Sequence, residues 1–85
     1  MRDLKALIDA GVKAQLEKLE QNGHKESFDN LDACESYYLM MKETKELQAE
    51  IYKTTTDYKA TRREFADIAN FCHMGILACD KEINK

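Results

Sequence analysis

The sequence predicts an all-α fold, a three-helix chain in which the second and third helices form a long antiparallel hairpin within an oligomeric helical bundle. The 85 residues include no proline and only three glycines, a composition that favours long helices. Apolar residues also recur every three or four positions through three separate stretches, which is the period of an amphipathic helix. Residues 1–85 are enough for a single domain and no more.

We expect the helices near residues 3–21, 30–53 and 57–83, because the apolar pattern is interrupted twice. Asn22 and Gly23 are typical of a helix end, and the threonines at 54–56 followed by Asp57 favour a turn. The first helix has an apolar face that comprises Leu4, Leu7, Ile8, Val12, Leu16 and Leu19. The corresponding residues of the second are Leu31, Cys34, Tyr37, Tyr38, Met41, Leu47 and Ile51. Those of the third are Thr61, Phe65, Ile68, Cys72, Ile76, Cys79 and Ile83.

Charge and hydropathy argue against several classes of function. A net charge of −3 provides neither the basic stripe that nucleic acid needs nor an attraction to anionic membranes. No apolar run approaches the roughly 18 residues of a membrane span, and the charged start of the sequence does not resemble a signal peptide. Cys34, Cys72 and Cys79 are an odd number without paired spacing, so we expect reduced, buried thiols in a cytoplasmic protein.

The short length also predicts self-association. A chain of this size has little hydrophobic core of its own and often depends on a partner subunit. Apolar side chains such as Tyr37, Met41, Phe71 and Met74 are too many for three helices to bury among themselves. We therefore expect an obligate homodimer or homotetramer.

Two pairs of carboxylates stand out from the other charged residues. Glu43 and Glu46 lie in the second helix and Glu64 and Asp67 in the third, each pair at positions i and i+3. Residues at this spacing project from one side of a helix, so two such pairs on facing antiparallel helices converge. Hard divalent cations prefer oxygen ligands, and magnesium in particular is held by a few carboxylates together with waters and substrate phosphates.

A solvated helix face is the simpler interpretation of such a pair. The helical wheel argues against it, because Glu64 falls between Ile68 and Phe71, within an apolar sector. Asp67 likewise falls close to Met74. Carboxylates in apolar surroundings need a compensating partner, which is either a metal ion or a lysine or arginine of another subunit.

The motif Glu43-x-x-Glu46, seventeen residues and then Glu64-x-x-Asp67 resembles the ExxE…ExxD signature of the MazG-like all-α nucleoside triphosphate pyrophosphohydrolases. Segments 42–51 and 63–71 are similar to the motif helices of short, phage-type members, and segment 22–28 is similar to their preceding loop. The resemblance covers roughly residues 20–80. The sequence departs from the family at Lys42, where an acid is common, and at Phe28, where tryptophan is usual.

The resemblance implies an enzyme that cleaves a nucleoside triphosphate between the α and β phosphates, giving the monophosphate and pyrophosphate. Mg²⁺, or Mn²⁺ in its place, would be held by Glu43, Glu46, Glu64 and Asp67. Glu43 or Glu46 would align or deprotonate the attacking water. Because Glu50 follows Glu46 by four positions, it is an alternative to Glu43 as a ligand.

Three further residues are candidates for substrate binding, each with a simpler interpretation beside it. Lys25 either contacts phosphate or is an ordinary surface lysine. Phe28 either stacks on the base or packs against the start of the second helix. Asn70 either binds a metal-bound water or a sugar hydroxyl, or lies on the helix surface as an amide. A zinc site is disfavoured because the chain has no Cys-x-x-Cys pair.

The competing function is a non-enzymatic helical module that binds a partner protein through its amphipathic helices. A degenerate, inactive member of the same family belongs to this second class. Such a module has no reason to keep four acids at an apolar border, so the complete set of carboxylates favours the enzyme.

Overall fold

Three α-helices account for the regular structure of this chain. The computed structural model describes residues 3–21 and 31–85, and it contains α1 over Leu4–Gln21, α2 over Ala33–Ile51 and α3 over Tyr58–Ile83. These two ranges contain no β-strand. The predicted all-α class with three helices is therefore confirmed.

The helices begin where acidic side chains cap them. Asp32 accepts a hydrogen bond from the backbone N–H of Glu35 at 2.7 Å, and Glu35 accepts one from the backbone N–H of Asp32 at 3.1 Å. This reciprocal capping box sets the start of α2 a few residues after the predicted position. Asp57 caps α3 by accepting from the backbone N–H groups of Lys59 and Ala60, so the predicted turn before α3 is confirmed.

Helix α3 lies at the centre of the described structure, because α1 and α2 both pack against it and not against each other. Its buried row steps by four residues and consists of Ala66, Asn70, Met74 and Ala78. Small residues bring α2 close to α3: a β-carbon added at Gly75 would lie 3.6 Å from that of Ser36. The two sulfur atoms of Cys72 and Met40 lie 3.5 Å apart further along the same contact.

The apolar face that the sequence indicates on α3 is not the side that α3 buries within the chain. Phe65, Ile76 and Ile83 are exposed, at 55%, 58% and 75% of their full accessibility. The expectation of buried thiols is also wrong, since Cys34 on α2 and Cys72 and Cys79 on the exposed side of α3 are free and exposed. The contacts with α1 and α2 occupy the side of α3 that carries smaller and more polar residues, which leaves the large apolar side uncovered.

Helix α1 also turns apolar side chains outward. Leu4, Leu7, Ile8 and Leu16 are all more than half exposed, whereas Gln15 is buried against α3. The contact between α1 and α3 therefore includes a buried polar residue from α1. None of the three helices has the length and apolar character needed to cross a membrane.

Candidate metal centre

Three carboxylates from two helices meet at one point of the structure. Glu43 on α2 and Glu64 and Asp67 on α3 each contribute one oxygen atom to a group whose members lie within 4.8 Å of one another. We refer to Glu43, Glu64 and Asp67 as the acidic trio. The packing of α2 on α3 thus brings together three of the four residues that the sequence motif identified.

The fourth motif residue, Glu46, lies at the edge of this group. Its side chain is exposed, in contrast to the half-buried members of the trio. It is nevertheless close enough to share a hydrogen bond with Glu43 and to repel Glu64 electrostatically. Glu46 is therefore placed to contact a molecule that approaches the trio from solvent.

Two oxygen atoms of the trio are buried without a partner. When the three carboxylates are ionised, Oε2 of Glu43 and Oε2 of Glu64 are shielded from solvent and receive no hydrogen bond. A buried acceptor in this state costs free energy, on the order of 1–3 kcal/mol, unless a proton or a cation satisfies it. The arrangement is therefore one that gains stability when a proton or a cation enters.

The pKa of Glu43 is raised to about 8, and burial of the carboxyl group is the largest cause. A hydrogen bond with Glu46 and the negative charges of Glu46, Asp67 and Glu64 contribute to the same increase, because each favours the protonated form of Glu43. In the absence of a cation, Glu43 is thus mostly protonated at neutral pH. A cation that bound through Glu43 would have to release this proton.

Burial also raises the pKa of Glu64 above its ordinary value, and the charges of Glu46 and Asp67 act in the same direction. Two effects oppose this increase. Glu43 donates a hydrogen bond to the carboxylate of Glu64, and the positive charge of Lys18 attracts it. A proton on Glu43 and the ammonium group of Lys18 therefore offset part of the negative charge of the trio.

That ammonium group comes from α1. Nζ of Lys18 lies 3.4 Å from Oδ2 of Asp67, and the two side chains are only 20% and 16% exposed. Sequence reasoning missed Lys18, although a signal was present. On the helical wheel Lys18 falls between Leu4 and Leu7, within the apolar sector of α1, as Glu64 does on α3.

Asn70 lies in a buried polar contact between α1 and α3. Its Oδ1 accepts from Nε2 of Gln15 at 3.1 Å, and its Nδ2 donates to the backbone oxygen of Gln15 at 3.2 Å. Nε2 of Gln15 also lies 2.9 Å from Nδ1 of His73. Asn70 is therefore no surface amide. A role in substrate binding stays a prediction, and it would require Asn70 to share or exchange these hydrogen bonds.

The geometry distinguishes between the two alternatives for the first ligand on α2. Glu43 belongs to the trio. Glu50 instead forms an ion pair with Lys53, which follows it by three residues, at 2.9 Å. This favours Glu43. The candidate substrate residues Lys25 and Phe28 lie outside the described residues.

The donor set fits a hard divalent cation. All three groups offer carboxylate oxygen, which is the ligand type that Mg²⁺ and Mn²⁺ prefer. Ligands that share one octahedral magnesium at about 2.1 Å lie no more than about 4.2 Å apart, so the trio is near that spacing. Glu43, Glu64 and Asp67 would hold such an ion with waters or phosphate oxygens completing its coordination.

No family model matches the chain, and neither the curated proteins nor the solved structures yield a match. The resemblance to the MazG-like group is therefore an expectation from motif residues, and the case for a function depends on the geometry of the trio.

Proposed function

We propose that this chain is a metal-dependent nucleotide pyrophosphohydrolase of the MazG-like kind. It would cleave ribo- or deoxyribonucleoside triphosphates between the α and β phosphates to give the monophosphate and pyrophosphate. The observation that carries the proposal is the acidic trio, in which α2 and α3 bring three carboxylates within 4.8 Å of one another. Two of the oxygens involved are buried and unpartnered, which favours the entry of a cation.

Each acid has a role in this proposal. Glu43, Glu64 and Asp67 hold the ion, with Glu46 as a further ligand at the solvent side. When bound, Mg²⁺ or Mn²⁺ supplies positive charge to the phosphate oxygens and makes a water more acidic. Glu46 or Glu43 aligns that water and accepts its proton, which requires the carboxylate to be ionised. The pKa of about 8 describes Glu43 in the metal-free protein, and a bound cation would favour the ionised carboxylate that this role requires.

Substrate recognition would depend on residues around the trio. Lys25 is proposed to contact the phosphates as a point charge, and Phe28 to stack on the base. Asn70, three residues after Asp67, is the candidate for a sugar hydroxyl or a metal-bound water. These three assignments rest on the chemistry of the side chains and on their positions in the sequence relative to the motif acids.

The proposed assembly is a homodimer or homotetramer built on an antiparallel α2–α3 hairpin. The contacts Ser36 with Gly75 and Met40 with Cys72 support that direction, because the partner residue number falls as the α2 number rises. Uncovered apolar side chains on α1 and α3 support the association of several copies.

A non-enzymatic helical module is the second candidate, and the same uncovered apolar surface favours it. The two candidates differ in what they require of the trio. A module that only binds a partner protein gains nothing from half-buried, mutually repelling carboxylates with unpartnered oxygens.

Product analysis separates these candidates. The full chain is incubated with a panel of nucleoside and deoxynucleoside triphosphates in Mg²⁺, in Mn²⁺ and in a chelator, and the products are resolved by anion-exchange chromatography. We expect equal amounts of monophosphate and pyrophosphate for at least one nucleotide, and no reaction with the chelator. Diphosphate with inorganic phosphate, or no product from any nucleotide, would argue against the proposal.

A further inference from the structure

We propose that Lys18 is a built-in competitor of the metal: its ammonium group neutralises Asp67 in the metal-free protein, and the divalent cation displaces it. This inference rests on the proposed function, because it concerns how the acidic trio accepts its ion. The affinity of the metal site would therefore depend on α1, although this helix contributes no acid to the trio.

The Lys18–Asp67 ion pair differs from the exposed pairs of this chain. Lys5 and Asp9 approach to 2.8 Å, but their side chains are 86% and 61% exposed, and such pairs contribute little. Nζ of Lys18 lies 3.4 Å from Asp67 while both side chains are at least four-fifths buried. Water screens this pair less, so the charge of Lys18 acts strongly on the trio.

Buried hydrogen bonds on α1 hold Lys18 in place. Gln15 lies one turn before Lys18 and exchanges two hydrogen bonds with Asn70, at 3.1 and 3.2 Å. Both residues are buried, at 9% and 5% exposure. A second, more exposed contact between α1 and α3 is the ion pair of Arg62 with Glu17 at 2.8 Å. The packing of α1 on α3 therefore holds the ammonium group of Lys18 next to Asp67.

An ammonium group and a divalent cation at one carboxylate exclude each other. A metal ion that binds Asp67 must separate it from Lys18 or accept the repulsion of a positive charge a few ångströms away. Lys18 also favours the ionised form of Glu64, and this reduces the competition of protons with the metal for that carboxylate. The repulsion is the larger effect, because it acts on a doubly charged ion. Removal of the lysine charge should therefore tighten metal binding.

The test is a titration of the full chain with Mn²⁺ alone at pH 8.5, with free Mn²⁺ measured by electron paramagnetic resonance. Lys18→Met keeps the length of the side chain and removes the charge, while Lys18→Arg keeps the charge. Lys13→Met is the matched control, because Lys13 lies on the same helix and is exposed. We expect Lys18→Met to lower the Kd on the order of tenfold, with the other two within about twofold of wild type.

Melting curves provide a second measurement on the same proteins. Without metal, Lys18→Met should melt below wild type, because Asp67 loses the nearby positive charge of Lys18. With saturating Mn²⁺ this difference should disappear, since the ion replaces the lysine. Lys18→Gln provides a second charge-free variant in case the methionine variant does not fold.

The outcomes separate this inference from the proposed function. Mn²⁺ binding by Lys18→Met that is equal to or weaker than that of wild type would refute the competition while leaving the metal site intact. Tighter binding by Lys18→Met supports the competition, even if wild type shows no measurable affinity. An absence of binding in both proteins would overturn the inference and the proposed function together.

Discussion

At the scale of single residues, Glu43 is a described side chain whose charge the fold alters strongly. It is half-buried on α2, next to Glu46 and the other two members of the trio. Burial raises its pKa to about 8, and the neighbouring carboxylates contribute to the increase. In the folded protein this carboxyl group therefore holds a proton at pH values at which the same group is ionised in the unfolded chain.

The sign of the resulting pH dependence follows from the two pKa values. Glu43 titrates near 4.5 in the unfolded chain and near 8 in the metal-free folded protein. Between these values the folded state holds the extra proton, so the free energy of unfolding decreases as the pH rises from about 4.5 through about 8.

Glu43→Gln should reduce the loss of stability that wild type shows as the pH rises, because glutamine does not titrate. In a chelator, the melting temperature of wild type should fall between pH 6 and pH 8.5, and that of Glu43→Gln should fall less. Glu82→Gln, an exposed change on α3, is the control and should behave as wild type. Equal losses in wild type and Glu43→Gln would show that Glu43 does not titrate in this range.

At the scale of helices, the contact between α2 and α3 is close enough to bring the trio together but leaves room at Gly75. A β-carbon there would meet that of Ser36 at 3.6 Å, an ordinary van der Waals distance. Glycine inside a helix lowers stability by about 0.8–1.0 kcal/mol relative to alanine.

Gly75→Ala should therefore stabilise the protein by about 0.5–1 kcal/mol and raise its melting temperature by a few degrees. Urea unfolding of wild type and variant measures this difference. Gly11→Ala on α1 is the matched case, since the nearest atom to its new β-carbon, Oε1 of Gln15, is 4.0 Å away. A stabilising Gly11→Ala together with a destabilising Gly75→Ala would mean that α2 and α3 approach more closely than described.

Sequence periodicity predicted the three helices, and the wheel singled out the acids that meet. It did not predict which side of α3 packs inward. Phe65, Cys72 and Ile76 form the most apolar side, yet α3 buries Ala66 and Met74 instead. Hydrophobic periodicity identifies a face that avoids water, but it cannot tell whether the partner is another helix of the same chain or another subunit.

Polar contacts between helices were less predictable. Gln15 and Lys18 interrupt the apolar sector of α1, and the structure shows their partners to be Asn70 and Asp67 on α3. An amphipathic pattern alone does not pair a given amide or ammonium group with a residue some fifty positions away. The acids were found because their spacing repeats on two helices, whereas Lys18 stands alone.

At the scale of the whole molecule, the described helices leave many large apolar side chains uncovered. Ile8 on α1 and Phe65 on α3, for example, are 61% and 55% exposed. Burial of such side chains against another copy of the chain is favourable. Within the described residues, the buried hydrophobic side chains are only Ala66, Met74 and Ala78.

We therefore predict that the chain is a dimer or tetramer at low micromolar concentration, as sedimentation equilibrium would measure. Its melting temperature should rise with protein concentration, because association and folding are coupled. A stable monomer of 9.8 kDa whose melting temperature is independent of concentration would contradict this account of the exposed apolar surface.

The central claim is that the acidic trio binds the metal that supports triphosphate cleavage, and Asp67→Asn tests it most directly. Asp80→Asn makes the same chemical change on the same helix, at an exposed position outside the trio. The measurement is pyrophosphate release with Mg²⁺ and the preferred nucleotide. We predict that Asp67→Asn lowers the rate on the order of a hundredfold or more, while Asp80→Asn remains close to wild type. Equal rates for Asp67→Asn and wild type would contradict the claim.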